Sequence, residues 1–386
     1  MKWASRIAVG RSYDEAVDEV CDGLADALGG DAPDLLVVFA APMLAPDLSE
    51  LPARLLARLP GATLVGCTGG GVIGDGREVE GAAALSVTAA VLPDVRVKPF
   101  HLGSDRDDWP ARIAVDPDDR SSFVLLPEPF SCDSQALLSW FDAAYPDSVK
   151  VGGIASGARQ PGANALFLGE RSFQSGAVGI ALRGNIEVDT VVAQGCRPIG
   201  APMFVTKSRR NVVLQLDGHP AVEVLQTLYA TLPPKDQDLF RHSLFLGVVM
   251  RDHQQQYGHG DFLIRNLAGI EPESGALVVG AVLRDGQVVQ FHLRDAQTSA
   301  DDLQTLLRQR RDGDGARPEG ALMFSCLGRG MHLYDRADHD TDMFREFYGA
   351  VPLGGFFCNG EIGPVQGKTF LHGYTSSFGL FFPRSD

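Results

Sequence analysis

The chemistry in this chain concentrates around Cys326, which ends the apolar run ALMFSC and is followed by Leu327-Gly328-Arg329-Gly330. An arginine and a helix start each favour the thiolate, the form of cysteine that attacks electrophiles and binds metals. A cysteine at a strand end also packs as an inert small hydrophobe. Cys358, Asn359 and Glu361 hold a comparable position near the C-terminus, and Cys67 and Thr68 hold one near the start. Spacing assigns no histidine as a base to any of these thiols, and there is no G-x-S-x-G elbow, so neither a Cys–His nor a serine hydrolase is supported. Gly69-Gly70-Gly71-Val72-Ile73-Gly74 has the form G-x-G-x-x-G. A dinucleotide site needs a helix to begin there, whereas the continuation Asp75-Gly76-Arg77-Glu78 is polar and broken by glycine. What remains is a glycine loop that offers backbone N–H groups to a small ligand.

Metal chemistry is equally poorly signalled. H-E-x-x-H is missing, and His253 and His259, flanking a QQQYG stretch, read as histidines of a polar loop. Asp335, Asp338, Asp340 and Asp342 precede a helix, where carboxylates serve as caps without calcium. The six cysteines are scattered, with no C-x-x-C pair, which suits reduced thiols in a cytoplasmic protein. We expect no metal and no cofactor.

The elements that must position these residues repeat along the chain. Ser12 and Glu15 have capping-box spacing, Ala16, Val17, Val20, Cys21, Leu24 and Leu28 follow the helical period, and Gly29-Gly30 closes a helix. The run DLLVVFAAPM reads as a strand buried on both faces, followed by the helix SELPARLLARLP and the strand ATLVGCTGGG. The same order returns in SSFVLLPEPF, SQALLSWFDAAYP and SVKVGGIASG, and again in ALMFSCLGRG, TDMFREFYG and VPLGGFFCNGEIG. Phe39 to Gly66, Leu126 to Gly152 and Phe324 to Gly354 are 27, 26 and 30 residues apart, close enough to mark an internal repeat. Each unit is a strand–helix–strand crossover between parallel strands, ending in glycine. The fold class is therefore mixed α/β, with repeated strand–helix–strand units forming two sheet-containing domains, 1–218 and 219–386. The boundary sits at Asp217-Gly218-His219-Pro220, which opens a helix, and residues 274–293 read as a hairpin turning at Asp285-Gly286.

Length and charge narrow the partners. The chain has 386 residues, room for two domains, and 34 basic against 49 acidic side chains give a net charge of -15. Such a chain repels phosphate backbones and anionic lipid, so nucleic acid and membrane are not expected partners. No run approaches a membrane span of about 20 apolar residues. The first residues, MKWASRIAVGRSYDEA, hold no signal-peptide core.

The segment LVGCTGGGVIGDGREVEG resembles the signature of the FIST N domain, and VVQFHLRDAQTSADDL, ALMFSCLGRG and VPLGGFFCNGEIGPVQGKTFLHGYTSSFGLF resemble the FIST C domain. FIST abbreviates F-box and intracellular signal transduction proteins. The resemblance runs from about residue 30 to the end, by pattern alone in the middle. It implies a sensory module for small ligands such as amino acids, here in a stand-alone form, with 1–218 as the FIST N-like and 219–386 as the FIST C-like part. With no room outside the match for an output domain or an F-box, a signal would pass to a separate protein partner. The resemblance carries over positions without roles: Cys67, Thr68, Gly69, Gly70 and Gly71; Arg294 and Asp295; Cys326 to Gly330; and Asn359 to Glu361. Gly153, at the second glycine step, joins Cys326, Arg329 and Asn359 as a candidate ligand contact. Arg294 suits a carboxylate, and Glu361 or Asp295 an ammonium, together fitting a zwitterion; Arg294 and Asp295 equally suit a hairpin-end salt bridge. The expected protein is a non-enzymatic binder of a small molecule. The alternatives are a thiol-dependent enzyme using Cys326 and a scaffold for a protein partner.

Overall fold

A computed structural model describes residues 1–251, 256–258 and 260–384; His253 and His259 lie outside the described residues. The first helix forms as its pattern requires. Glu15 accepts hydrogen bonds from the Ser12 backbone N–H and hydroxyl, Gly29 ends the helix at φ 67°, and Ala16, Val17, Val20, Cys21, Leu24 and Leu28 make its buried face.

The chain divides into two compact units. Unit 1 comprises residues 1–193, 303–371 and 375–386; unit 2 comprises 194–302 and 372–374. Unit 1 begins with β1 (Lys2–Val9), α1 (Tyr13–Leu28), β2 (Leu35–Ala40), α2 (Leu51–Arg58), β3 (Thr63–Thr68), β4 (Gly71–Gly74), β5 (Arg77–Glu80) and β6 (Ala84–Val91). A second round follows with β7 (Val95–Leu102), α3 (Trp109–Ile113), β8 (Ser122–Pro127), α4 (Ser134–Ala144), β9 (Lys150–Gly153), β10 (Leu166–Leu168), β11 (Arg171–Phe173) and β12 (Ala177–Gly184). A third round opens with β13 (Glu187–Ala193). Unit 2 then contributes β14 (Cys196–Arg209), β15 (Val212–Leu216), β16 (His219–Pro220), α5 (Ala221–Thr231), α6 (Pro234–His242), β17 (Leu244–Val249), β18 (Phe262–Ile270), β19 (Leu277–Val279) and β20 (Val288–Arg294). After α7 (Ala296–Asp314) the third round resumes with β21 (Gly320–Cys326), α8 (Met331–Tyr334), α9 (His339–Tyr348), β22 (Leu353–Cys358), β23 (Glu361–Val365), β24 (Lys368–His372) and β25 (Ser376–Phe382).

The three rounds are one motif used three times. Each builds four strands of a sheet, ordered β1-β6-β2-β3, β7-β12-β8-β9 and β13-β25-β21-β22, with the last two strands parallel. Each sheet is then completed by a hairpin from another round: β10-β11 beside β3, β23-β24 beside β9, and β4-β5 beside β22. Hairpins are thus exchanged cyclically among the three sheets, and unit 2 is an insertion in the third round. One hydrophobic cluster draws on all three sheets, including Phe39, Val124, Leu126, Phe324 and Phe356. Phe39 stacks on Phe356 at 4.6 Å between ring centroids, and Phe324 meets Phe356 edge-on at 6.0 Å.

The repeated glycines have a shared physical cause. Gly66, Gly152 and Gly355 sit at equivalent points of β3, β9 and β22, opposite Val38, Leu125 and Met323. At each of them a Cβ would collide with the carbonyl oxygen of that parallel neighbour. The equivalent of Gly66 in the third round is therefore Gly355, one residue beyond the glycine that spacing alone selects.

In unit 2, β14-β20-β17-β18-β19-β15 form a sheet that closes through a β14–β15 pairing into a six-stranded barrel. Its core includes Ile199, Val213, Leu246, Val289 and Phe291, with Leu225 from α5. The expected 274–293 hairpin does not form: β19 pairs with β18 and β15, whereas β20 pairs with β14 and β17. The Asp285-Gly286 bend is there, with Gly286 at φ 83°, but barrel closure sends the two strands to different partners. The helix expected after Pro220 starts at Ala221.

Gly355→Ala is expected to destabilise the protein by about 3 kcal/mol, the upper end of ordinary overpacking costs, because the obstacle is backbone. Gly103→Ala, where a Cβ meets nothing within 4 Å, is the control. Chemical denaturation of both variants checks this, and equal midpoints would contradict the close-approach explanation.

Candidate functional site

The candidate site forms where the exchanged hairpins leave their own sheets, at the carboxyl ends of the parallel strands in unit 1. Thr68 O accepts hydrogen bonds from the Ser156 and Gly157 N–H groups, both 3.2 Å. Gly70 N–H donates to Ser156 Oγ at 2.9 Å, and that hydroxyl donates to Phe357 O. Ile154 N–H donates to Gly360 O at 2.9 Å, Asn359 N–H to Ile154 O at 3.1 Å, and Asn359 Nδ2 to Ala155 O at 3.2 Å. The three glycine steps thus satisfy one another's backbone groups. They leave no helix N-terminus at Gly71, which enters β4.

Cys67, Thr68, Gly69, Gly70, Gly71, Gly153, Cys326, Asn359 and Glu361 all belong to this part of unit 1. Cys67 is fully buried, and burial pushes its thiol well above the ordinary range. Glu361 is also fully buried: Oε1 accepts from the Cys358 thiol at 3.5 Å and Oε2 from Thr375 N–H at 3.1 Å. Asn359 is exposed and Cys326 half-buried. Helix α8 starts five residues after Cys326, at Met331, so the thiol does not sit on its first turn.

Arg329 has a different engagement from the one its neighbourhood in sequence suggests. It is fully buried and forks onto Asp340, with Nε–Oδ2 at 2.8 Å and Nη2–Oδ1 at 3.1 Å, while Nη2 also donates to Tyr334 OH at 2.6 Å. His339 Nδ1 lies 2.9 Å from Asp340 Oδ1, and its ring stacks on Tyr334. Burial alone would raise Asp340, but the Arg329 charge outweighs it and holds the carboxyl below its usual range. Asp340 is thus a buried ion-pair partner, which corrects its reading as a helix cap; the helix cap position belongs to Asp338. Glu78 lies beside this pair and accepts from Thr341 N–H at 2.7 Å; burial, then the Asp340 charge, pushes it up to about 8.

Arg294 and Asp295 belong to unit 2. Arg294 is buried with its guanidinium 5.0 Å from the Tyr374 ring centroid. Asp295 accepts from Arg197 Nε at 3.1 Å and from Thr298 N–H at 2.8 Å. Burial opposes ionisation of Asp295, but the Thr298 and Arg197 hydrogen bonds outweigh it and lower its pKa.

Beside Thr68 is a cavity of about 140 Å³, lined by Pro42, Asp47, Ser49, Asn164, Gln174 and their neighbours. Asn164 is fixed: its Oδ1 accepts from Ala158 N–H at 2.9 Å, and its Nδ2 donates to buried Glu128 at 3.1 Å. Asp47 accepts from Ser49 N–H at 2.8 Å, which holds its carboxyl below the ordinary range. Among the described residues, the lining contains one carboxylate and no lysine or arginine. Of these residues, sequence alone pointed to Thr68; the signal for Asp47 was its place in the loop following a buried parallel strand.

Comparison with known proteins covers nearly the whole chain. The FIST N domain family matches residues 34–219 and the FIST C domain family residues 221–364. The uncharacterized protein Rv0628c of Mycobacterium tuberculosis is 36% identical, over 97% of this chain and 99% of its own length. The uncharacterized protein Mb0898c of Mycobacterium bovis is 34% identical over 95% of each chain. F-box only protein 22 of Homo sapiens is 52% identical over 43 residues, 11% of each chain.

Asp340→Ala strands the Arg329 charge in the interior and is expected to cost about 3–5 kcal/mol in denaturant titrations. Replacing both, as Arg329→Met with Asp340→Ala, should cost less than that single change; an equal or larger loss would contradict the ion-pair account. Glu78 is raised from 4.5 to about 8, so the folded protein keeps a proton that the unfolded chain has released. Its stabilising contribution is full below the unfolded value and lost as pH rises toward 8. Melting temperatures between about pH 5 and 8.5 should therefore fall more steeply in the parent than in Glu78→Gln; parallel curves would contradict this.

Proposed function

The chain belongs to the FIST family, whose domains are sensory domains of signal transduction, and on that premise we propose that it is a cytoplasmic sensor for a small, amine-bearing polar metabolite of amino-acid size. The observation that carries this is the cavity of about 140 Å³ beside Thr68. It lies where ligands of α/β sheets ordinarily bind, beyond the carboxyl ends of parallel strands. Its size admits a single small metabolite. Asp47 offers an ionised carboxylate to an ammonium, while Ser49, Asn164 and Gln174 supply hydrogen bonds for the remaining polar groups of the ligand. With no cation in the lining, a free anion is disfavoured, and a carboxylate on the ligand is held by amides and hydroxyls.

Binding rather than turnover is the reading we give this lining, in which both the backbone N–H and the hydroxyl of Ser49 engage the Asp47 carboxylate. Asn164 and Thr68 link the cavity to the tied hairpin crossovers, so ligand contacts press on the part of unit 1 where its three sheets interlock. The signal then passes to a separate protein partner. The net charge of -15 argues against nucleic acid in that role.

Native mass spectrometry of the freshly purified protein, followed by thermal-shift titration with amino acids and short amines, tests the proposal. A non-covalent adduct or a saturating rise in melting temperature is expected, weakened about tenfold or more in affinity by Asp47→Asn. Flat melts with a bare chain, or binding unchanged by Asp47→Asn, would contradict it.

A further inference from the structure

Cys326 and Cys358 end the two parallel strands of the third round and face each other in register. Leu322, Phe324, Phe356 and Cys358 alternate onto the face that meets the central core. Cys326, two residues after Phe324, falls on that same face. Adjacent strands bring paired Cα atoms to within about 5 Å, inside the range of about 4.4–6.8 Å that a disulfide spans. The two thiols differ in access: Cys326 is half-buried, whereas Cys358 is fully buried. Gly328 N–H donates to Cys326 Sγ at 3.5 Å, a contact that favours the thiolate. Cys358 donates to Glu361 Oε1 at 3.5 Å, and Thr375 N–H donates to Glu361 Oε2 at 3.1 Å. Room for the Cys358 sulfur is provided by Gly153, where a Cβ would lie 2.9 Å from it.

We propose that Cys326 and Cys358 form a redox-sensing dithiol, oxidised by low-molecular-weight disulfides, with Cys326 as the entry thiol, Cys358 as the resolving thiol and Glu361 as its base. The Cys326 thiolate attacks one sulfur of the small disulfide, forming a mixed disulfide and expelling a first thiolate, which takes up the proton that Cys326 released to solvent. Cys358 then passes its proton to Glu361 and attacks the Cys326 sulfur. The bond to the small molecule breaks, and the second thiolate leaves with the proton from Glu361. The two protein thiols are oxidised and the small disulfide is reduced to two thiols. Burial, followed by the neighbouring Glu361 charge, raises the Cys358 thiol well above its ordinary range. That explains why the buried thiol needs an adjacent base and why the outer one reacts first. The product staples β21 to β22 at the crossover end of unit 1, independently of any metabolite in the cavity beside Thr68.

The full chain is incubated with oxidised glutathione, quenched with acid, and analysed by intact mass and non-reducing peptide mapping. The parent protein should lose two hydrogens, with residues 326 and 358 joined in one cross-linked peptide that dithiothreitol releases. Cys358→Ser should stop at a single glutathione adduct on Cys326, and Cys326→Ser should leave Cys358 unmodified. Glu361→Gln should slow the conversion of adduct to cross-link about a hundredfold, the usual loss for a missing general base. A stable glutathione adduct on the parent without a cross-link would overturn the proposal, as would modification confined to Cys132, the other half-buried thiol. Unslowed cross-linking in Glu361→Gln would overturn the assigned base. Because the decisive readout is on the parent chain, a variant that fails to fold does not shield the proposal.

Discussion

Backbone exchange is the constraint on which unit 1 depends. No round of the chain completes its own sheet, because the hairpin that follows each glycine step pairs in another sheet. The strands before it must approach their parallel neighbours so closely that a methyl group cannot intervene, which places glycine at 66, 152 and 355. A sheet left without its hairpin would present an unpaired edge, a liability that proteins generally cover. The cyclic arrangement covers one edge of all three sheets at once and draws their inner faces into one core around Phe39, Phe324 and Phe356.

The polar interior follows from that geometry. Crossovers at the end of a core bring backbone N–H and C=O groups into places water does not reach, and each must find a partner. Ser156 serves two crossovers, accepting from Gly70 and donating to Phe357, and Asn359 reaches back to Ala155. Glu361 and Arg329 bring charge into the same unit, Glu361 held by hydrogen bonds to Cys358 and Thr375 and Arg329 by Asp340. Among the described residues at these crossovers, exposed Asn359, half-buried Cys326 and the lining of the cavity beside Thr68 are reached from outside.

Local features were legible in the sequence. The buried face of α1 matches its apolar period residue for residue, and the three strand–helix–strand units emerge from repeated runs of Val, Leu and Phe before glycine. Pairing was less legible, because a strand's own residues specify that it is half or fully buried but not which distant strand lies beside it. Hence Asp285-Gly286 marks a real bend without making a hairpin, and the insertion of a closed barrel into the third round left no signature at its ends. Asp340 was misread because carboxylates near helix starts are ordinarily caps; only the folded chain brings Arg329 to it. The cavity residues Asp47 and Asn164 come from loops 117 residues apart, which no spacing rule links.

The most direct test of the sensory account is a crystal structure of the protein grown in a mixture of amino acids and short amines. The account predicts density for one small molecule beside Thr68, its ammonium on the Asp47 carboxylate and its other polar groups on Asn164 and Gln174. Density containing only water there, with a ligand bound elsewhere on the chain, would contradict it.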